Sequence, residues 1–173
     1  MKKILVVIDM QNDFIDGTLG TKEAEAIIGN VVNKIKTYPA DCIYATRDTH
    51  GDNYRETSEG KYLPVVHCVQ GTHGWQIRKE VAEAIERAVI VDKNTFGSNL
   101  LTEELYKESQ KDKIEIELVG LCTDICVVTN ALLLKTKLPE VKVTVDSSCC
   151  AGVTPESHEA ALLTMKMCQV EVQ

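Results

Sequence analysis

Long apolar runs are missing from this chain of 173 residues, and none approaches the roughly 20 residues a helix needs to cross a bilayer. That excludes a membrane-spanning helix, and no membrane partner is expected. Basic residues are also short. Nineteen Lys+Arg against 26 Asp+Glu give a formal net charge of -7, which disfavours nucleic acid and anionic surfaces. No charged-then-apolar leader precedes the first apolar run, because Met1-Lys2-Lys3 leads straight into it, and a cytoplasmic protein is expected. Repeats, low-complexity tracts and linkers are absent. Residues 1–173 are therefore expected to form a single domain, long enough to bury its own core. Large rings are few, with two phenylalanines and one tryptophan, so the places where they fall carry information.

Cysteine, by contrast, is plentiful. Seven cysteines, at positions 42, 68, 122, 126, 149, 150 and 168, make an odd number, and without an export signal no disulfide framework is expected. Most read as small buried hydrophobes in a reducing compartment, and at least one as a working thiol.

Short β-branched runs alternate with longer segments of helical period, the pattern of repeated βαβ units. The spacing predicts strands near 3–8, 41–47, 88–92, 114–119, 141–146 and 168–172, and helices near 22–37, 75–87, 99–111, 124–137 and 155–167. The expected fold class is α/β: a three-layer, Rossmann-like arrangement of about six mainly parallel strands with helices on both faces. Ile4-Leu5-Val6-Val7-Ile8 is apolar throughout, as in a central strand covered on both sides. Ile114, Ile116 and Leu118 alternate with Glu115 and Glu117, a strand more exposed on one face. Thr154-Pro155-Glu156 carries a helix-start signal, and Leu138-Pro139 a stop. Thr102 is placed inside a first helical turn rather than at its start. Asp48 to Gly74 is long, polar and glycine-bearing, the character of a functional loop.

Five of the apolar runs lead into residues able to do chemistry. They end on Asp9, on Asp48 and His50, on Lys93, on the segment Gly120-Leu121-Cys122-Thr123-Asp124-Ile125-Cys126, and on Asp146. In an open parallel sheet those ends share one edge, where such folds bind ligands. Taken singly, Cys126 is a packed thiol, Asp9 a strand-end cap and Lys93 a solvated lysine; together at one edge they describe an enzyme. Cys126 falls two to three residues past a helix start, where free N–H groups and the helix dipole favour a thiolate and could hold an oxyanion. Asp48 and His50 lie two apart, so in extended chain both point to one side, as chelation requires. His67 could complete a three-ligand site with open positions.

The ordered segments Ile8-Asp9-Met10-Gln11-Asn12-Asp13-Phe14, Lys93-Asn94-Thr95-Phe96 and Gly120 to Val127 resemble the signatures of the isochorismatase-like cysteine hydrolases. Asp48-Thr49-His50 with His67-Cys68-Val69-Gln70-Gly71-Thr72 is similar to the nicotinamidase/pyrazinamidase branch. The resemblance implies an amidohydrolase that takes a small amide, nicotinamide foremost, through a thioester on Cys126. Asp9 would act as general base and then acid, Lys93 would hold Asp9 ionised, and the amides of Cys122 and Cys126 would form the oxyanion hole beside a cis Leu121–Cys122 bond. One divalent metal ion, zinc first with iron or manganese as alternatives, would sit on Asp48, His50 and His67, with Glu59 or else Glu56 as a further contact. Phe14, Leu19 and Phe96 would wall the substrate pocket. Tyr62 would stand in for an aromatic that many relatives carry before the last histidine, or the pocket is wider and takes another amide. The resemblance also implies a homo-oligomer. A related carbamoyl or ureido amidase and a non-catalytic binding module are the alternatives. Isochorismate itself is disfavoured, since that branch lacks the cysteine and the Asp-x-His site. Redox chemistry is disfavoured because Cys122 and Cys126 are not in a Cys-x-x-Cys spacing. His73 reads as a loop residue, His158 as a solvated helix position, and Cys149-Cys150 as strand-end packing.

Overall fold

The computed structural model describes residues 1–173. Its strands are β1 (Lys2–Ile8), β2 (Ile43–Asp48), β3 (Val89–Lys93), β4 (Ile114–Leu121), β5 (Lys142–Ala151) and β6 (Glu171–Val172). They form one sheet in the order β3-β2-β1-β4-β5-β6, and every pairing is parallel. The helices are α1 (Asn12–Ile15), α2 (Lys22–Ala26), α3 (Ile28–Ile35), α4 (Ser58–Tyr62), α5 (Lys79–Ala84), α6 (Asn99–Lys111), α7 (Val128–Lys137) and α8 (Pro155–Met167).

The unbroken apolar run of β1 follows from its place in the middle of this sheet. Ile4, Val6 and Ile8 pack on one side with Leu101, Leu105, Ala131, Leu134 and Met165 of α6, α7 and α8. Leu5 and Val7 pack on the other with Phe14, Ala24, Val31 and Val81 of α1, α2, α3 and α5. Chain order reverses direction between β1 and β4, so the C-terminal ends of these two neighbours bound the crevice where ligands enter folds of this class.

Gly120 lets β1 and β4 approach closely at the head of that crevice. It has φ +117°, and a Cβ there would lie 2.1 Å from the Ile8 carbonyl oxygen. Both the backbone conformation and the close approach require glycine. Gly120→Ala is expected to lower the unfolding free energy by about 3 kcal/mol or more, read from urea denaturation. A loss below about 1 kcal/mol would contradict this account.

Several elements differ from expectation, each for a tertiary reason. The helix expected over 22–37 divides at Ile27, which is buried in the core and forms a tight turn joining α2 to α3. The helix expected over 75–87 shrinks to α5, because residues 75–78 are held elsewhere. The Trp75 indole N–H donates to Thr49 Oγ1 at 2.8 Å, and the Arg78 N–H donates to the Met10 carbonyl at 2.8 Å. Strand β5 runs on past 146 to Ala151 through an irregular register, carrying Cys149 and Cys150 inside it as buried strand residues. Strand β6 begins only at Glu171, after Gln169 turns the chain at φ +66°. Thr154 caps α8, with Ser157 completing a reciprocal cap, and Ser98 caps α6, leaving Thr102 inside its first turn. The 48–74 segment folds into a short 3-10 turn at Tyr54–Glu56 followed by α4.

Candidate active site

Asp9 is the residue after β1, Lys93 the last of β3, Asp48 the last of β2, and Cys126 belongs to the turn after β4. Parallel register therefore lines them along one edge. That turn, Thr123–Val127, is a π-type opening to the helix that continues as α7, and the Leu121–Cys122 peptide before it is cis.

Asp9 adopts φ +42° and is completely buried. Its Oδ2 lies 2.7 Å from Lys93 Nζ, whose side chain is 2% exposed. Its Oδ1 accepts from the Thr46 hydroxyl at 2.6 Å, and the Asp9 N–H donates back to Thr46 Oγ1 at 3.2 Å. Lys93 Nζ also lies 3.4 Å from Cys126 Sγ and 3.4 Å from Asp48 Oδ1. The ammonium thus joins the carboxylate to the sulfur. Burial pushes the Asp9 carboxyl above the usual carboxylate range, and the Lys93 charge only partly offsets it. Burial alone would lower Lys93, but Asp9, Cys126 and Asp48 together hold it above the ordinary lysine range.

Cys126 departs from the expectation of a favoured thiolate. Burial, then the negative charge of Asp9, push the thiol up, and these outweigh the helix start and the lysine. At rest the sulfur keeps its proton, beside a carboxylate able to accept it. The Cys126 carbonyl accepts from Asn130 Nδ2 at 2.7 Å, and Asn130 also reaches the Phe96 carbonyl and the Ser98 amide.

A cavity of about 310 Å³ opens above this group. Phe14, Leu19, Phe96, Cys122 and Cys126 all line it. Phe96 is 46% exposed and Tyr62 94% exposed, so these two rings stand at the rim rather than forming closed walls. Tyr62 does not replace a buried aromatic.

The donor atoms of Asp48, His50, Glu59 and His67 lie within 4.8 Å of one another, two imidazoles and two carboxylates. His50 Nε2 is 2.8 Å from Asp48 Oδ2, and His67 Nε2 is 3.6 Å from both Asp48 Oδ2 and Glu59 Oε1. The Val65 carbonyl lies 2.8 Å from His67 Nδ1, which assigns the proton there and leaves the Nε2 lone pair aimed at the cluster. Nitrogen and oxygen donors at this spacing fit a divalent cation. Asp48, Glu59 and His67 also line the cavity, so the cluster opens onto it. Glu59 on α4 faces the imidazoles, while Glu56 lies outside the cluster and is exposed.

Sequence reasoning overlooked several residues here. Thr46 is a buried hydroxyl directly after the apolar Ile43-Tyr44-Ala45 run of β2, which was its available signal. Tyr54 is buried with its ring edge-on to both His50 and His67. His158, expected in solvent, has its Nδ1 2.8 Å from Thr123 Oγ1 and so braces the turn that carries Cys126. His73 is an exposed loop residue, as expected.

The isochorismatase-domain family model matches residues 3–173. A Bacillus subtilis protein described as an uncharacterized isochorismatase family protein PncA is 27% identical over 173 residues, 94% of this chain and 93% of its own. The nicotinamidase/pyrazinamidase of Mycobacterium tuberculosis is 26% identical over 183 residues, 98% and 97% of the two chains. A crystal structure of Pyrococcus horikoshii pyrazinamidase in complex with zinc superposes with a TM-score of 0.79 at 26% identity, covering 100% of this chain and 99% of that one. With its signature segments converging on one crevice of this fold and the family model spanning almost its whole length, the chain belongs to the isochorismatase family.

Proposed function

We propose that this protein is a cysteine amidohydrolase that converts nicotinamide to nicotinate and ammonia. The observation that carries the reading is the Lys93 ammonium, 2.7 Å from Asp9 and 3.4 Å from the Sγ of Cys126, a residue that lines a largely apolar cavity. The relative from Mycobacterium tuberculosis named for nicotinamide and pyrazinamide hydrolysis supports the substrate class.

Asp9 takes the thiol proton as Sγ attacks the carboxamide carbon. The carbon–sulfur bond forms, the carbonyl electron pair moves to oxygen, and the amides of Cys122 and Cys126 hold that oxyanion. When it collapses, the carbon–nitrogen bond breaks and Asp9 gives its proton to departing ammonia. Water then attacks the thioester; Asp9 accepts its proton and returns it to the leaving sulfur. Lys93 favours the ionised form of Asp9 before each proton uptake. Phe14 and Leu19 flank the ring, with Phe96 at the rim. Asp48, His50, Glu59 and His67 would hold one divalent ion, zinc first, with iron or manganese accepted by the same donors. When bound, that ion supplies a Lewis-acid contact for the pyridine nitrogen and so orients the carboxamide. On this reading the enzyme works in the cytoplasm as a homo-oligomer, without nucleic-acid or membrane partners.

The test is ammonia release from nicotinamide, pyrazinamide and a panel of carbamoyl and ureido amides, before and after chelation. Turnover of the first two is expected. Metal removal should raise KM for nicotinamide at least about tenfold, with recovery as metal is restored. Ammonia from a ureido amide alone would move the substrate class. Unchanged kinetics after chelation would remove the metal from the reaction.

A further inference from the structure

The signature segment after β1 contains three polar residues, Gln11, Asn12 and Asp13, that take no part in the steps above. All three reach into the loop that carries the metal-ligand candidates. Gln11 is completely buried and spends its side-chain amide on that loop. Nε2 donates to the Asp48 and Trp75 carbonyls, each at 2.8 Å, and Oε1 accepts the Asp48 N–H at 2.7 Å. Asp13 Oδ2 accepts the N–H of Cys68, the neighbour of His67, at 2.7 Å. Cys68 sits at φ +46°, and its carbonyl accepts the His50 N–H at 3.0 Å. Gly74 gives the Asp13 carboxylate its seat, since a Cβ there would come within 2.1 Å of it. Asn12 ties the loop further off, donating from Nδ2 to the His73 carbonyl at 2.9 Å.

We infer that Gln11 and Asp13 are positioning residues for the metal site, fixing the backbone of Asp48 and of the residue beside His67 and so setting divalent-metal affinity without supplying a ligand. The inference rests on the metal reading above. Four donors on a long loop bind tightly only if ordering them costs little beforehand, and these two side chains fasten both ends of that loop to the rigid end of β1. The same short stretch thereby keeps the donors in register with Asp9.

The experiment is zinc competition against a chromophoric chelator, run alongside thermal melts of the metal-free proteins. Gln11→Met keeps the volume and removes the three hydrogen bonds; Asp13→Ala removes the acceptor, and Asp13→Asn can restore it through Oδ1. Gln11→Met and Asp13→Ala are expected to weaken zinc binding about tenfold or more. Asp13→Asn and Asn12→Ala are expected to stay within about threefold of the parent protein. If Gln11→Met does not fold, the contrast between Asp13→Ala and Asp13→Asn decides. Parental affinity in folded Gln11→Met and Asp13→Ala overturns the inference, as does an equal loss in Asn12→Ala, which would show general loosening. Failure of the unmutated protein to bind zinc overturns the metal reading itself, and this inference with it.

Discussion

Cys126→Ala is expected to abolish ammonia release, with a loss of at least about 10⁴-fold in turnover, while the protein still folds. The two halves of that result have separate causes. Chemically, the thioester has no other atom to form on. Cys122, the other thiol lining the cavity, is one turn away, and its pKa is pushed up to about 12 by burial and the nearby Asp124. Structurally, the sulfur is one buried atom of a large cluster, and its removal leaves a void costing about 1 kcal/mol. No charge is orphaned, because Lys93 keeps its contacts with Asp9 and Asp48. Ammonia assays paired with thermal melts separate the two effects. A folded variant retaining activity within tenfold of the parent would exclude covalent catalysis through this residue.

The placement of the chemistry was legible because it depends on strand ends, which hydrophobic patterning finds well. Ile4–Ile8 reads as a doubly covered strand, and once it is central, Asp9 must lie at the sheet's C-terminal edge with Lys93 and the Cys126 turn. What stayed hidden was set by tertiary hydrogen bonds. Residues 75–78 have a helical pattern, yet the bonds from Trp75 to Thr49 and from Arg78 to Met10 hold them outside the helix. The partners of Thr46 and Gln11 are invisible in sequence because they lie 37 residues away on a neighbouring element. The thiol shows the limit of a local argument. Its place at a helix start favours the thiolate, but full burial beside an ionised carboxylate is the larger effect. Glu59 needed the loop's own fold, since only the turn at Tyr54–Glu56 and α4 swing it, and not Glu56, toward the imidazoles.

Lys93→Met should be the most damaging substitution for stability and activity together. The side chain keeps nearly the same length and apolar body, so packing is not the cause of any loss. What disappears is the charge. Asp9 is buried beyond solvent, and without the ammonium its carboxylate loses its cationic partner and keeps only neutral donors such as the Thr46 hydroxyl. Leaving a buried charge without its partner costs about 3–5 kcal/mol. The carboxylate can escape that cost only by taking up a proton, and a protonated Asp9 cannot accept one from Cys126. Either route is costly: the protein keeps an unpaired charge and loses both stability and the ammonium beside the reacting sulfur, or it neutralises the charge and loses its base. Urea denaturation at neutral pH should show a loss near that size unless Asp9 has protonated, while turnover falls at least about 10³-fold in both cases. Lys93→Arg is expected to recover much of the stability but little of the rate, because a guanidinium restores the charge without the 2.7 Å and 3.4 Å reach to carboxylate and sulfur. A Lys93→Met protein as stable and as active as its parent would mean that the ion pair is an ornament of the fold and that proton transfer runs through some other group.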